Sequence, residues 1–135
     1  MNDTFEVMIQ KLTQAIQDSY DEGITMEQAE KLAGKFLFAQ MQIAEKLSRS
    51  DLDARMQKTG VKAIKAGVYL QEATKGEKKP TESMLSALVD SDEAVVKAQD
   101  MLDKAEIRRD ELENYFSIFK EAHVHFRTIA RGRFE

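Results

Sequence analysis

The stretch from Asp92 to Arg131, DEAVVKAQDMLDKAEIRRDELENYFSIFKEAHVHFRTIAR, decides the fold. No Pro or Gly interrupts it before Gly132. Its apolar or small residues step by three and four: Val95, Ala98, Leu102, Ala105, Leu112, Phe116, Phe119, Phe126 and Ala130. Arg109 and His123 take the two remaining positions of that series. Such spacing keeps one narrow stripe of a helix facing a partner helix. A helix of about 40 residues at ~1.5 Å per residue is ~60 Å long, too long for one small globule to cover. It needs a second helix along most of its length, from this chain or from another copy. Leu102, Arg109, Leu112, Phe116, Phe119, His123 and Phe126 are the expected oligomerisation residues. A polar group in such a seam can fix register and copy number, and Arg109 then needs a carboxylate partner. Alternatively the seam drifts and Arg109 and His123 face water at its margin.

Working outward, the 135 residues make one helical domain with a modest core. Residues 1–91 form a helical sub-bundle and 92–131 the long C-terminal helix. Asp3 or Thr4 caps a first helix to about Tyr20, with Phe5, Met8, Ile9, Leu12 and Ile16 on one face. Gly23 breaks it, and Thr25 with Gln28 forms a capping-box signature. The next helix, about 26–48, buries Ala29, Leu32, Ala33, Phe36, Leu37, Ile43, Ala44 and Leu47. Ser50 caps a third helix over 51–73, whose expected inner edge is Leu52, Met56, Ala63, Gly67 and Leu70. The small Gly60, Ala63 and Gly67 let another backbone come close, although a helical glycine costs roughly 1 kcal/mol relative to alanine. A lysine-rich loop follows at 74–80, holding Gly76 and Pro80. Thr81 caps a short helix carrying Met84, Leu85, Leu88 and Val89, and Asp90 with Glu93 opens the long one. No two-residue alternation argues for strands, so the class is all-α.

Charged residues make up 33% of the chain, aromatics 7%, and Trp and Cys are absent. That describes a thin-cored helical protein with much solvated surface, and the lack of Cys fits a reducing compartment. No apolar run approaches the ~20 residues that cross a bilayer, and residues 1–20 carry no signal-peptide pattern. The expected location is the cytoplasm, or the host cytoplasm if a phage encodes the chain. The net charge of −4 hides segregation. Residues 49–79 hold 8 basic and 4 acidic side chains, against 4 and 8 in 1–48 and 5 and 11 in 80–126. Local patches of this kind, not totals, attract polyanions.

The basic middle has a geometry. Arg55, Lys58, Lys62, Lys65 and Tyr69 are spaced 3, 4, 3 and 4, which sets them within an arc of about 80° on a helix. The stripe leads into Lys75, Lys78 and Lys79 of the loop. A row of flexible cations can follow a phosphate backbone without reading bases, and an aromatic ring can stack on an unpaired base. The plainer interpretation is a solvated helix face. Arg127, Arg131 and Arg133 near the end complement helix carbonyls or extend the basic patch.

Enzyme chemistry has little to stand on. His123 and His125, the only histidines, lie two apart and point to different sides of a helix, so they cannot chelate one metal together. There is no Glu-x-x-His pair, Gly-rich phosphate loop or Ser/His/Asp grouping. No metal, cofactor or catalytic residue is expected.

The order of features resembles the UvsY-type recombination mediators of tailed phages, from about Gln28 to Phe126. The most specific part is Lys62-Ala63-Ile64-Lys65-Ala66-Gly67-Val68-Tyr69 followed by Lys75-Gly76. It is similar to the family's basic segment, a Lys-Ala-Arg triplet and an aromatic before a Gly-rich basic loop. A second part is Glu82 to Leu102, with Met84, Leu85, Asp92 and Val95 in like order. The resemblance implies a small all-helical protein that binds single-stranded DNA and forms a ring, a hexamer or heptamer. It also implies that the protein helps load a recombinase onto strands coated by a single-strand-binding protein. It implies that Lys65 contacts DNA. Gly67 stands where the family has its arginine, and Lys58 or Lys62 on the same stripe can replace that contact. The first 25 residues lie outside the resemblance. The rival expectation is a self-assembling structural or adaptor protein whose basic stripe docks an acidic protein surface.

Overall fold

The computed structural model describes residues 3–132, which form four helices and no strand. They are α1 (Asp3–Glu22), α2 (Met26–Thr74), α3 (Glu82–Ser91) and α4 (Glu93–Ala130). The all-α class and the long C-terminal helix are as expected. Arg133 lies outside the described residues.

The local signals explain most boundaries. Asp3 already belongs to α1. Gly23 takes φ +80°, a left-handed conformation open to glycine, and ends that helix. Thr25 and Gln28 then form a reciprocal capping box: Gln28 N donates to Thr25 Oγ1 at 3.1 Å and Thr25 N donates to Gln28 Oε1 at 3.0 Å. Thr81 caps α3 by accepting from Met84 N. The cap of α4 is Asp92, not Asp90. Its Oδ1 accepts from Ala94 N at 2.9 Å and Val95 N at 3.3 Å. At the far end Gly132, φ +67°, closes α4 by donating to the Ile129 carbonyl.

The main correction concerns α2. No break or cap occurs at Ser50, and the two helices expected over 26–48 and 51–73 are one helix of 49 residues. The chain carries no Pro or Gly between Gly34 and Gly60 to stop it. Asp51, instead of starting a helix, pairs with Arg55 one turn on. The buried line also keeps its phase past Ser50, through Ala54, Val61 and Val68. The expected inner edge of this half, Leu52, Met56, Ala63, Gly67 and Leu70, is exposed. The expected edge carries the bulkier Leu52, Met56 and Leu70, but the chain packs on Ala54, Val61 and Val68.

The chain divides into two compact units, Met1–Leu47 with Leu112–Glu135, and Ser48–Glu111. Helices α2 and α4 each give one half to each unit. This replaces the expected division into a sub-bundle and a projecting helix. In the first unit α1, α2 and α4 share one core, in which Phe36, Phe119 and Phe126 are fully buried. Phe36 meets Phe119 edge-on at 5.2 Å and stacks on Phe126 at 5.4 Å, both favoured aromatic geometries. Phe5, Ile9 and Leu12 of α1 are buried as expected. Leu37 is exposed, and Ala39 takes a buried place the sequence did not assign to it. The second unit is thinner. Val68, Val89 and Val95 form its cluster, with Tyr69 packed against them, and Leu85 and Leu102 are buried nearby in sequence.

Candidate nucleic-acid interface

The predicted basic stripe lies on α2, wholly within the second unit. With Ala54, Val61 and Val68 facing the core, Arg55, Lys58 and Lys62 fall on an exposed flank. Between Asp53 and Glu72 the helix carries no carboxylate, so Lys58, Lys62 and Lys65 have no same-helix acid in that interval. None of the three forms an ion pair among the described residues. Arg55 does: its guanidinium lies 3.0 Å from Asp51 Oδ2. Both ends of that pair are solvated, and such pairs are worth little, so a phosphate can compete for the guanidinium.

Lys65 and Tyr69 are placed differently from the others. Lys65 is half-buried and borders two shallow grooves. One is lined by Asp90, Asp100 and Asp103 beside Val95. The other has Ala66, Leu70 and Val89 with Tyr69 and Asp90. The nearby carboxylates lower the local positive potential at Lys65 relative to Lys58 and Lys62. Tyr69 is half-buried against Val68 and its neighbours. Its Oη donates to Glu82 Oε1 at 3.0 Å. That bond, then desolvation and the Glu82 charge, hold the phenol above its ordinary pKa. Glu82 also stands 3.9 Å from Lys79 Nζ. Glu82 thus ties the end of the lysine loop to the end of the stripe, a link invisible in sequence because Tyr69 and Glu82 lie 13 residues apart. Lys75 and Lys78 are exposed and form no ion pair among the described residues.

The second predicted set, on α4, is spent inside the chain. Leu112, Phe119 and Phe126 belong to the aromatic core, with Phe116 packed against it, and Leu102 is buried in the second unit. From Leu112 to Phe126 the seam is therefore covered within the chain, by α1 and α2. Arg109 is half-buried and lies 3.2 Å from Asp110 and 3.8 Å from Glu106. His123 Nδ1 lies 2.8 Å from the carbonyl of Ala33. A carbonyl can only accept, so that nitrogen carries the proton. Among the described residues no group of three or more His, Asp or Glu could hold a metal ion, and no helix is long and apolar enough to cross a membrane.

Compared with known proteins, the chain matches no family, no curated protein and no solved structure.

Proposed function

We propose that the second unit binds single-stranded DNA without catalysis, as a recombination mediator that helps a recombinase onto strands held by a single-strand-binding protein. The observation that carries the DNA contact is the acid-free run of α2, with Lys58 and Lys62 exposed along one flank. Lys75 and Lys78 add two further exposed cations. Arg55 and Lys79 join by exchanging a weak carboxylate partner for a phosphate. Lys65 contributes less, because acids border it. Stacking on Tyr69 competes with its Glu82 bond and its packing, so phosphate contacts supply most of the affinity. Several copies acting together multiply a weak per-chain affinity by avidity. The site of action is the cytoplasm, the host's if a phage encodes the chain. The mediator role, the recombinase and the ring rest on the family resemblance alone.

A labelled single-stranded oligonucleotide titrated across salt tests the contact. The five unpaired cations alone imply a log–log slope near −3.5, roughly a 100-fold loss of affinity between ~50 and ~200 mM salt, and the slope steepens as Arg55 and Lys79 join. Absence of binding at ~50 mM, where phosphate contacts are strongest, ends the proposal. The Tyr69–Glu82 bond, which occupies the ring that could stack on a base, favours one rival, an adaptor whose stripe meets an acidic protein. A salt-dependent partner that is protein and never nucleic acid would establish it.

A further inference from the structure

The face of α2 turned away from the core carries a second seam. Leu52, Met56, Thr59, Ala63, Ala66 and Leu70 step by 4, 3, 4, 3 and 4. At 100° per residue they lie within about 80°, centred opposite Ala54, Val61 and Val68. None is charged, and Leu52, Met56 and Leu70 are 59%, 65% and 63% exposed. Three large apolar side chains left this open at heptad spacing form an unpartnered coiled-coil face. Gly60 and Gly67 border it. A Cβ added to either would meet nothing within 4 Å, and neither takes a positive φ. No contact or conformation within the chain therefore calls for glycine at these two helical positions, where alanine is the better helix former.

We infer that this face receives the same face of a second copy of the chain, in a parallel and in-register pair. With Met56, Ala63 and Leu70 at a, and Leu52, Thr59 and Ala66 at d, Arg55 and Lys62 are g residues and Gly60 and Gly67 are e residues. In a parallel pair each g residue faces the e residue five positions on in the partner. Arg55 then faces a glycine at position 60 of the other copy, and Lys62 one at position 67. Glycine leaves room for the long stems to lie across the seam with their charges at the rim. In an antiparallel pair g faces g, so overlap along the whole face would set Lys62 against Lys62 and Arg55 against Tyr69, and neither cation would meet a glycine. A charged partner would lose hydration against this face with no counter-charge, whereas a second copy brings a matching uncharged row. The inference deepens the expectation that copies associate, and it moves the contact from the α4 seam to α2.

The test uses the whole purified chain with no nucleic acid present, so its failure is separate from failure of DNA binding. Light scattering at about 100 µM, within the range where a micromolar complex is saturated, is expected to show self-association. Ala63→Glu is expected to raise the dissociation constant at least tenfold with the helical circular dichroism unchanged, since this face lies outside the core. The chain has no cysteine, so Leu52→Cys, at one end of the face, reports register. Mild oxidation is expected to link copies through that position, since a parallel, in-register pair brings it to itself and an antiparallel pair overlapping along the face sets it against Leu70. A monomeric wild type, association indifferent to Ala63→Glu, or an associated Leu52→Cys protein that does not cross-link would each overturn the inference.

Discussion

The two units are built from the same two helices and differ in what those helices bury. In the first, α1 joins α2 and α4, and three phenylalanines fill the space between them. In the second, α2 and α4 have only short α3 beside them, and the buried residues are mostly valine and alanine. A third long helix gives large side chains somewhere to go. Both units still leave bulky residues of α2 on the surface: Phe38 and Met41 in the first, and Leu52, Met56 and Leu70 in the second. The first unit holds the three buried phenylalanines, and the second carries the exposed lysines of α2 and the proposed contacts.

The largest expected effect falls on the first unit. Phe36→Ala removes a fully buried ring with two aromatic partners and should cost about 3–5 kcal/mol in denaturant unfolding. Val61→Ala in the second unit should cost about 1–2 kcal/mol, the transfer energy of roughly two methylene-sized groups. Equal losses would erase the contrast between the units. Next in size is Gly67→Ala, whose new Cβ meets open space. The monomer should gain up to about 1 kcal/mol from helix propensity, visible as a raised Tm, while self-association weakens.

The smallest effect is at Tyr69. Its folded-state pKa is raised, first by the hydrogen bond to Glu82. That contact therefore stabilises the fold fully below the ordinary phenol pKa, and the stability is lost as pH rises through the raised value. Tyrosinate absorbance in a pH titration should show one tyrosine ionising late, and Glu82→Ala should return it toward the ordinary range. An unchanged titration curve in that variant would place the Tyr69–Glu82 contact in doubt.

The α4 seam could be read from the sequence because a strict three–four step over nearly 40 residues has few other meanings. What the step could not say was whose helix fills it, since α2 of this chain and α2 of a neighbour look alike in sequence. The join at Ser50 misled for a physical reason. Ser-Arg-Ser-Asp has cap chemistry, but a capping residue inside a helix held by packing on both sides stays helical. The face of 52–70 misled because both sides of α2 carry apolar residues at helical spacing, and size favoured the wrong one. The stripe of Arg55, Lys58 and Lys62 was legible from spacing alone. Its limits were not, because Glu82, Asp90 and Asp103 reach Tyr69 and the surroundings of Lys65 only through the fold.

The most direct test of the division of labour compares charge reversals in the two units. The salt dependence of single-stranded DNA binding would be measured for the wild type, Lys58→Glu/Lys62→Glu in the second unit, and Lys31→Glu/Lys35→Glu in the first. The second-unit variant should bind more weakly at every salt concentration, with a slope shallower by about 1.4 for two lost phosphate contacts. The first-unit variant should keep the wild-type slope. If both variants lose equally, or neither changes, the exposed flank of α2 is not where the polyanion binds.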